Sequence, residues 1–276
     1  MKKRIVKISK WVVGITFSLF LFISLVLYFF KDDIINIVIK EMNSHLNTKV
    51  EVAEVDLAFW GSFPNLSVDF NSVFIKDSYV NSSNLDTLLY SEKIRLKFNP
   101  MDLWRENYTV KSIEISDGTL KMKVNEEGEV NYDIFKKVND STETDAFEVN
   151  LEEVGFVNFG YAYINHTTNQ EYRTLINTMS LKGAFNSSVF TTKAEADIHV
   201  LSARSGEVTL ISNQPSQLDI VVNVNTDSSV ISIPESVIYV SELPFNFSGE
   251  VGPNGFNFNL NGKNLSIKDV ANRLAM

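Results

Sequence analysis

Residues 48–70 read TKVEVAEVDLAFWGSFPNLSVDF. Val50 and Val52 alternate with Glu51 and Ala53, and Val55, Leu57 and Phe59 alternate with Asp56 and Ala58. After the turn pair Gly61-Ser62, Leu66, Val68 and Phe70 alternate with Ser67 and Asp69. Successive side chains of a strand point to opposite faces, so a period of two predicts strands with one apolar and one polar face.

The pattern continues along the chain. It returns at Ile94, Leu96 and Phe98, at Leu120, Met122 and Val124, and at Phe159, Tyr161 and Tyr163. It returns again at Ala194, Ala196, Ile198 and Val200, then at Leu218, Ile220, Val222 and Val224. Phe245 and Phe247, then Phe256, Phe258 and Leu260, close the series. Turn residues punctuate it at Asp117-Gly118, Glu127-Gly128, Ser205-Gly206 and Pro253-Asn254-Gly255. Such alternation belongs to antiparallel sheets with one wetted face, so the body is expected to be mainly β with meander connections. Short helical turns are expected over 101–107 and 132–138, and another helix is expected to start in 267–275. The polar stretch 137–145 (KVNDSTETD) reads as a linker near residue 140, separating β sections 48–140 and 141–276. Residues 110–124 and 149–164 each read as a strand, a turn near a glycine and a second strand, a weak repeat suggesting stacked hairpins.

Upstream, residues 11–30 hold twenty uncharged residues from Trp11 to Phe30. At about 1.5 Å per residue they reach roughly 30 Å, the depth of a bilayer's hydrocarbon core. A cleaved signal peptide has a shorter apolar core and a small-residue cleavage site, so an uncleaved transmembrane helix is expected. Lys2, Lys3, Arg4, Lys7 and Lys10 form a basic tail over 1–10, which places the N-terminus in the cytoplasm and the body on the far side. Residues 31–47 space Ile34, Ile35, Val38, Met42 and Leu46 on one helical face, predicting a short amphipathic helix.

Composition narrows the chemistry. The 276 residues include no cysteine, which removes disulfides, thiolate metal sites and cysteine nucleophiles. Net charge is −9, and taking away the five N-terminal cations leaves −14 on the remainder. A body that acidic lacks the basic footprint that nucleic acid requires. His45, His166 and His199 lie far apart and have no metal-ligand spacing. Neighbouring carboxylates such as Glu152 and Glu153 point to opposite strand faces and form no catalytic pair. No phosphate-binding glycine loop, GxSxG or HExxH is present. No catalytic residue, metal ligand or cofactor is therefore expected, and the chain is not read as an enzyme. What remains is the apolar strand face, which must be buried by a helix, a second sheet or an apolar ligand.

The order of basic tail, single span, amphipathic helix and the stretch 48–77 resembles the start of AsmA-family proteins of Bacteroidota and related Gram-negative bacteria. Phe63, Pro64, Asn65 and Leu66 match the family's F-P-N-L turn. Leu88, Tyr90, Ser91, Lys93, Ile94 and Leu96 match its L-x-S-x-K-I-x-L strand, and 99–104 resembles its L-x-S-L-F element. The most specific match is 110–135, where Gly128, Asn131, Tyr132, Asp133 and Ile134 stand in the family's G-x-x-N-W-D-I places, with Tyr132 for tryptophan. Family members run to several hundred residues, so the chain resembles an N-terminal portion or a short member.

The resemblance implies a long, curved, antiparallel sheet forming a groove, anchored in the inner membrane with its body in the periplasm. It implies a role in outer-membrane biogenesis, with phospholipid acyl chains carried in the groove. Membrane phospholipids and transport proteins of either membrane would be partners, and nucleic acid would not. By alternation the lipid-facing candidates are Val68, Phe70, Leu96, Phe98, Phe245, Phe247, Phe256 and Phe258. A scaffold for outer-membrane protein assembly that carries no lipid is the alternative, and a sandwich sealed on itself would also satisfy the alternation.

Overall fold

The computed structural model describes residues 43, 46–48, 50–58, 65–79, 87–99, 101–102, 105, 109–134, 136, 149–185, 187–253, 255–262, 265–266 and 268. The chain divides into two compact units, Met1–Ser44 and His45–Met276. The expected span from Trp11 to Phe30 lies outside the described residues, as does the helix over 31–47 apart from Asn43, Leu46 and Asn47. The polar stretch 137–145 lies outside them too, with most of 101–107 and 267–275, whereas in the expected turn 132–138 the described residues Tyr132, Asp133, Ile134 and Lys136 are not helical. Among the described residues no helix is long and apolar enough to cross a membrane.

The described residues of the second unit form eleven strands. They are β1 (Val50–Ala58), β2 (Leu66–Lys76), β3 (Thr87–Phe98), β4 (Val110–Val124), β5 (Val149–Asn165) and β6 (Gln170–Gly183), then β7 (Val189–Ser205), β8 (Val208–Asn225), β9 (Val230–Val240), β10 (Leu243–Gly252) and β11 (Gly255–Gly262). Every apolar alternation read from the sequence falls in one of them, apart from Phe59, which lies outside the described residues. Strands β6 and β9 were not legible as alternations, for reasons given below.

All eleven strands form one curved, open sheet in chain order. Nine of the ten neighbouring pairs are antiparallel. The tenth departs from the expected meander: β4 and β5 run parallel, from Val110↔Val149 to Val124↔Asn165. Residues 125–148 connect them, because a parallel pair cannot be joined by a tight hairpin. The two β sections are thus directly hydrogen-bonded to each other. The repeat at 110–124 and 149–164 is likewise not a stack of hairpins: each segment is a single long strand, and the two lie side by side.

The reason is a crease. Asp117-Gly118 makes no turn; Asp117 takes a left-handed φ of 53° inside β4. Ser72 in β2 (φ 52°) and Asn158 in β5 (φ 48°) do the same. One row of pairs, Asn71↔Lys93↔Ser116↔Val157↔Thr178, lies on one side of them. On the other side runs Val73↔Ser91↔Gly118↔Phe159↔Ile176. Ser72, Glu92, Asp117, Asn158 and Asn177 therefore fall in line across five strands. Short polar side chains tolerate left-handed backbone and bond locally, which is why serine, aspartate and asparagine take these places. Asn158 Nδ2 donates to Asp117 Oδ1 at 2.7 Å. The buried Ser91 hydroxyl lies 2.9 Å from the Lys93 carbonyl and 2.8 Å from that of Ser116. At β6 the line ends in a bulge, where Asn177 is the extra residue between Ile176↔Ile198 and Thr178↔Asp197.

Crossing the crease shifts the apolar alternation by one residue. Val68 and Phe70 are buried before Ser72, and Val73 is buried after it. Ile113 and Ile115 precede Asp117, while Leu120, Met122 and Val124 follow it.

Candidate apolar face

The register assembles the apolar residues into lines that run across the strands. The longest is Val55↔Phe70↔Ile94↔Ile115↔Phe156↔Met179↔Ala196↔Leu218↔Ile238↔Phe245↔Gly262, one residue from each of the eleven strands. No polar side chain interrupts it. With neighbouring strands about 4.8 Å apart, the line is about 48 Å long. A second line, Leu57↔Val68↔Leu96↔Ile113↔Val154↔Leu181↔Ala194↔Ile220, accompanies it from β1 to β8.

The face is buried on β2 and β3, half-buried on β1 and on β4–β6, buried again on β9 and β10, and exposed at β11. Val68 and Phe70 are 0% and 1% exposed, and Leu96 and Phe98 are also buried. Phe156, Met179, Ala196 and Leu218 are half-buried. Ala194, Ile220, Ile238, Val240, Leu243 and Phe245 form a buried cluster, with Phe247 and Leu265 packed against it. At the edge, Phe258 and Leu260 are 44% and 47% exposed. The Phe258 ring stacks on Phe247 with centroids 5.6 Å apart, and it lies over Gly249. Of the eight candidate lipid contacts, five are therefore interior packing, Phe247 is partly covered and Phe258 is open. The side chain of Phe256 lies outside the described residues.

Past the crease the face gains phenols. Met122, Tyr163 and Tyr172 pair across β4–β6, with the two rings stacked at 6.2 Å, and the Tyr161 hydroxyl donates to Met122 Sδ at 3.8 Å. Burial first, then the nearby phenols of Tyr163 and Tyr132, raise the Tyr161 pKa, so it stays a donor.

The opposite face is polar. Glu114, Glu153, Glu195, Asp197 and Asp219 border an open hollow of about 570 Å³ together with Val157, Val237 and Tyr239. These acids have partners. Glu114 lies 3.6 Å from Arg95 and 3.8 Å from Lys97, Glu153 accepts from Ser180 at 2.8 Å, Asp197 accepts from Asn177 at 3.2 Å, and Lys193 bridges Glu195 and Asp219. Among the described residues no group of three or more His, Cys, Asp or Glu is placed to hold a metal ion. His199 Nε2 sits 2.8 Å from Asn213 Oδ1, a contact within the sheet. On β2 and β3, Arg95 grips Asp69 through two hydrogen bonds, Nε to Oδ1 at 2.9 Å and a terminal guanidinium nitrogen to Oδ2 at 2.7 Å.

The sequence missed part of this face because alternation was read within short runs. Met179 and Leu181 lie beyond Asn177, on the opposite parity from Ile176, so β6 reads as irregular. In β9, Pro234-Glu235 interrupts the run and hides Ile238. Two apolar residues three apart around a Ser, Asp or Asn was the available signal. Comparison with known proteins returns no match to this chain from protein-family profiles, curated proteins or solved structures.

Proposed function

We propose that the apolar face carries the acyl chains of membrane phospholipids. In this reading the protein is an AsmA-like, inner-membrane-anchored periplasmic protein that supports outer-membrane biogenesis. The observation that carries the proposal is the line of apolar residues through every strand, from Val55 to Gly262. An acyl chain held against such a line gains about 0.8 kcal/mol for each CH₂ removed from water. A face of that length lets a chain shift from one strand to the next without meeting a polar side chain. The acidic opposite face keeps the sheet in water. Val68, Phe70, Leu96 and Phe98 are buried, as are Ile238 and Phe245, so cargo meets the half-buried stretch through Phe156, Met179, Ala196 and Leu218 and the exposed Phe258 and Leu260. Transport proteins of the inner or outer membrane would deliver or receive it.

The test is photo-crosslinking of the full chain in Gram-negative cells. A benzophenone amino acid replaces Leu260, Phe258 or, as an outer-face control, Val221. Phospholipid adducts at Leu260 and Phe258 and none at Val221 are expected by mass spectrometry. Protein adducts without lipid at the two β11 positions would overturn the proposal in favour of a scaffold that presents this edge to assembly factors.

A further inference from the structure

We propose that a row of uncharged donors on the apolar face, centred on Tyr161 and Thr174, holds the ester groups of a glycerolipid, so that a bound lipid lies along the strands with its tails on β5–β7. The inference rests on the reading of this face as a lipid carrier, and adds which part of the lipid each stretch takes. Along the strands the face changes character. The stretch Phe156↔Met179↔Ala196↔Leu218 is apolar and half-buried. Past the crease, the row Phe159↔Ile176↔Ile198↔Ser216 gains one hydroxyl. The next row is Tyr161↔Thr174↔Val200↔Gln214, and after it comes Tyr163↔Tyr172↔Ala203↔Ile211. Phenols, hydroxyls and an amide thus stand at one end of an apolar stretch, on the same four strands.

The chemistry of the row selects the group it takes. The Tyr161 hydroxyl donates to Met122 Sδ at 3.8 Å, and a thioether is a weak acceptor. The buried Ser216 hydroxyl, on the same parity as Gln214, has no hydrogen-bond partner among the described residues. A face with donors short of acceptors suits a ligand that brings oxygen acceptors. Charge is kept off it. Past the crease, Lys121, Lys123, Glu171, Arg173 and Arg204 take the other parity, in the rows Lys121↔Ala162↔Arg173↔Ser202 and Lys123↔Ile164↔Glu171↔Arg204. A carboxylate or phosphate held at Tyr161 and Thr174 would find no counter-charge, whereas an ester carbonyl needs only a neutral donor. Length agrees as well. Val200, Ile198, Ala196 and Ala194 share this parity on β7, and they give an apolar run of about 20 Å. The tails of one membrane leaflet reach about 15 Å, half the hydrocarbon core. Tails laid along β7 from the donor row therefore end on the two long apolar lines. The headgroup extends the other way, past Tyr163 and Tyr172 toward the exposed turn 166–169.

The test compares ester with ether. Displacement of a fluorescent phospholipid from the purified full chain in detergent measures the affinity for a diacyl phosphatidylcholine and for its dialkyl analogue. The analogue has the same chains and headgroup and lacks both carbonyl oxygens. The wild type should prefer the diacyl lipid by about tenfold, as two neutral hydrogen bonds allow. Tyr161→Phe combined with Thr174→Val removes both donors and keeps most of the side-chain volume, and it should abolish that preference. Thr178→Val, at an exposed position of β6 on the outer face, should keep it. Equal affinity of the wild type for the two lipids overturns the inference and leaves the carrier reading standing. So does a preference that survives in the double variant. Absence of binding by either lipid and by the probe overturns both. The ester-to-ether ratio of the wild type needs no variant, so poor folding of the double variant would not shield the inference.

Discussion

The rings of Phe156 and Phe159 meet with centroids 5.4 Å apart, although only two residues separate them on β5. Residues three apart on a regular strand point to opposite faces. The left-handed Asn158 between them turns the strand over, so both rings serve the same apolar face. Asn158→Val should destabilise the chain by about 1–2 kcal/mol, because a β-branched residue resists left-handed backbone. Asn158→Gly should stay near wild type, since glycine takes that conformation freely. Thermal unfolding followed by far-UV circular dichroism separates them; equal melting temperatures would mean that the crease does not depend on residue 158.

Much of the fold was legible in the sequence because alternation is a local signal: Leu66, Val68 and Phe70 declare a strand by themselves. The crease was not, because its cause lies in register between strands. Asp117-Gly118 has the composition of a hairpin turn, and it is the pairing of Ser116 and Gly118 with β3 on one side and β5 on the other that keeps it inside a strand. The parallel step from β4 to β5 was hidden for a related reason, since alternation carries no information about strand direction. Of the candidate face, the apolar parity of each run was readable. Its exposure was not: Phe70 and Phe258 look alike in sequence, and one is interior while the other borders solvent.

Gly118 is held by space rather than by its φ. A Cβ there would overlap the Tyr90 carbonyl oxygen and stand 2.8 Å from Ser91 Cα and 2.9 Å from the Phe159 ring. Two of these are backbone of β3, which cannot step aside without breaking pairs. Gly118→Ala should lower stability by about 3 kcal/mol, at the upper end for overpacking. Amide hydrogen exchange should localise the loss to β3–β5. Unchanged protection there would contradict the close approach.

The Asp69–Arg95 pair sets a pH dependence. Burial alone would raise the Asp69 pKa, but the two hydrogen bonds and the charge of Arg95 outweigh it and hold the carboxyl below its ordinary 3.8. A lowered carboxyl pKa contributes stability that is present above the unfolded-state value and lost as pH falls through the folded-state value. Asp69→Asn should therefore be destabilising by about 2–3 kcal/mol near neutral pH, discounted for the part-exposed guanidinium. The gap to wild type should shrink below about pH 4. A gap that does not change between pH 7 and pH 3 would rule out the ion pair as its source.

Phe70 and Phe258 should separate packing from cargo. Phe70→Ala removes an interior ring and should lower stability by about 3–5 kcal/mol. Phe258→Ala removes a half-exposed ring that stacks on Phe247, and about 1 kcal/mol is expected. Lipid adducts at Leu260 should fall in the Phe258 variant although its melting temperature barely moves. Adducts that follow melting temperature instead would show that they report only on folding.

Because each strand gives one residue to the line from Val55 to Gly262, the sheet is modular in its length. Inserting a two-stranded hairpin of matching parity would extend the line by about 10 Å and leave every other contact in place. Adding or removing one residue inside a strand would reverse the parity of everything beyond it in that strand, as happens at Ser72, Asp117 and Asn158, where the reversal is shared by neighbours. Such a sheet can evolve to different reaches by duplicating hairpins, while its strands tolerate insertions only at their turns or in concert.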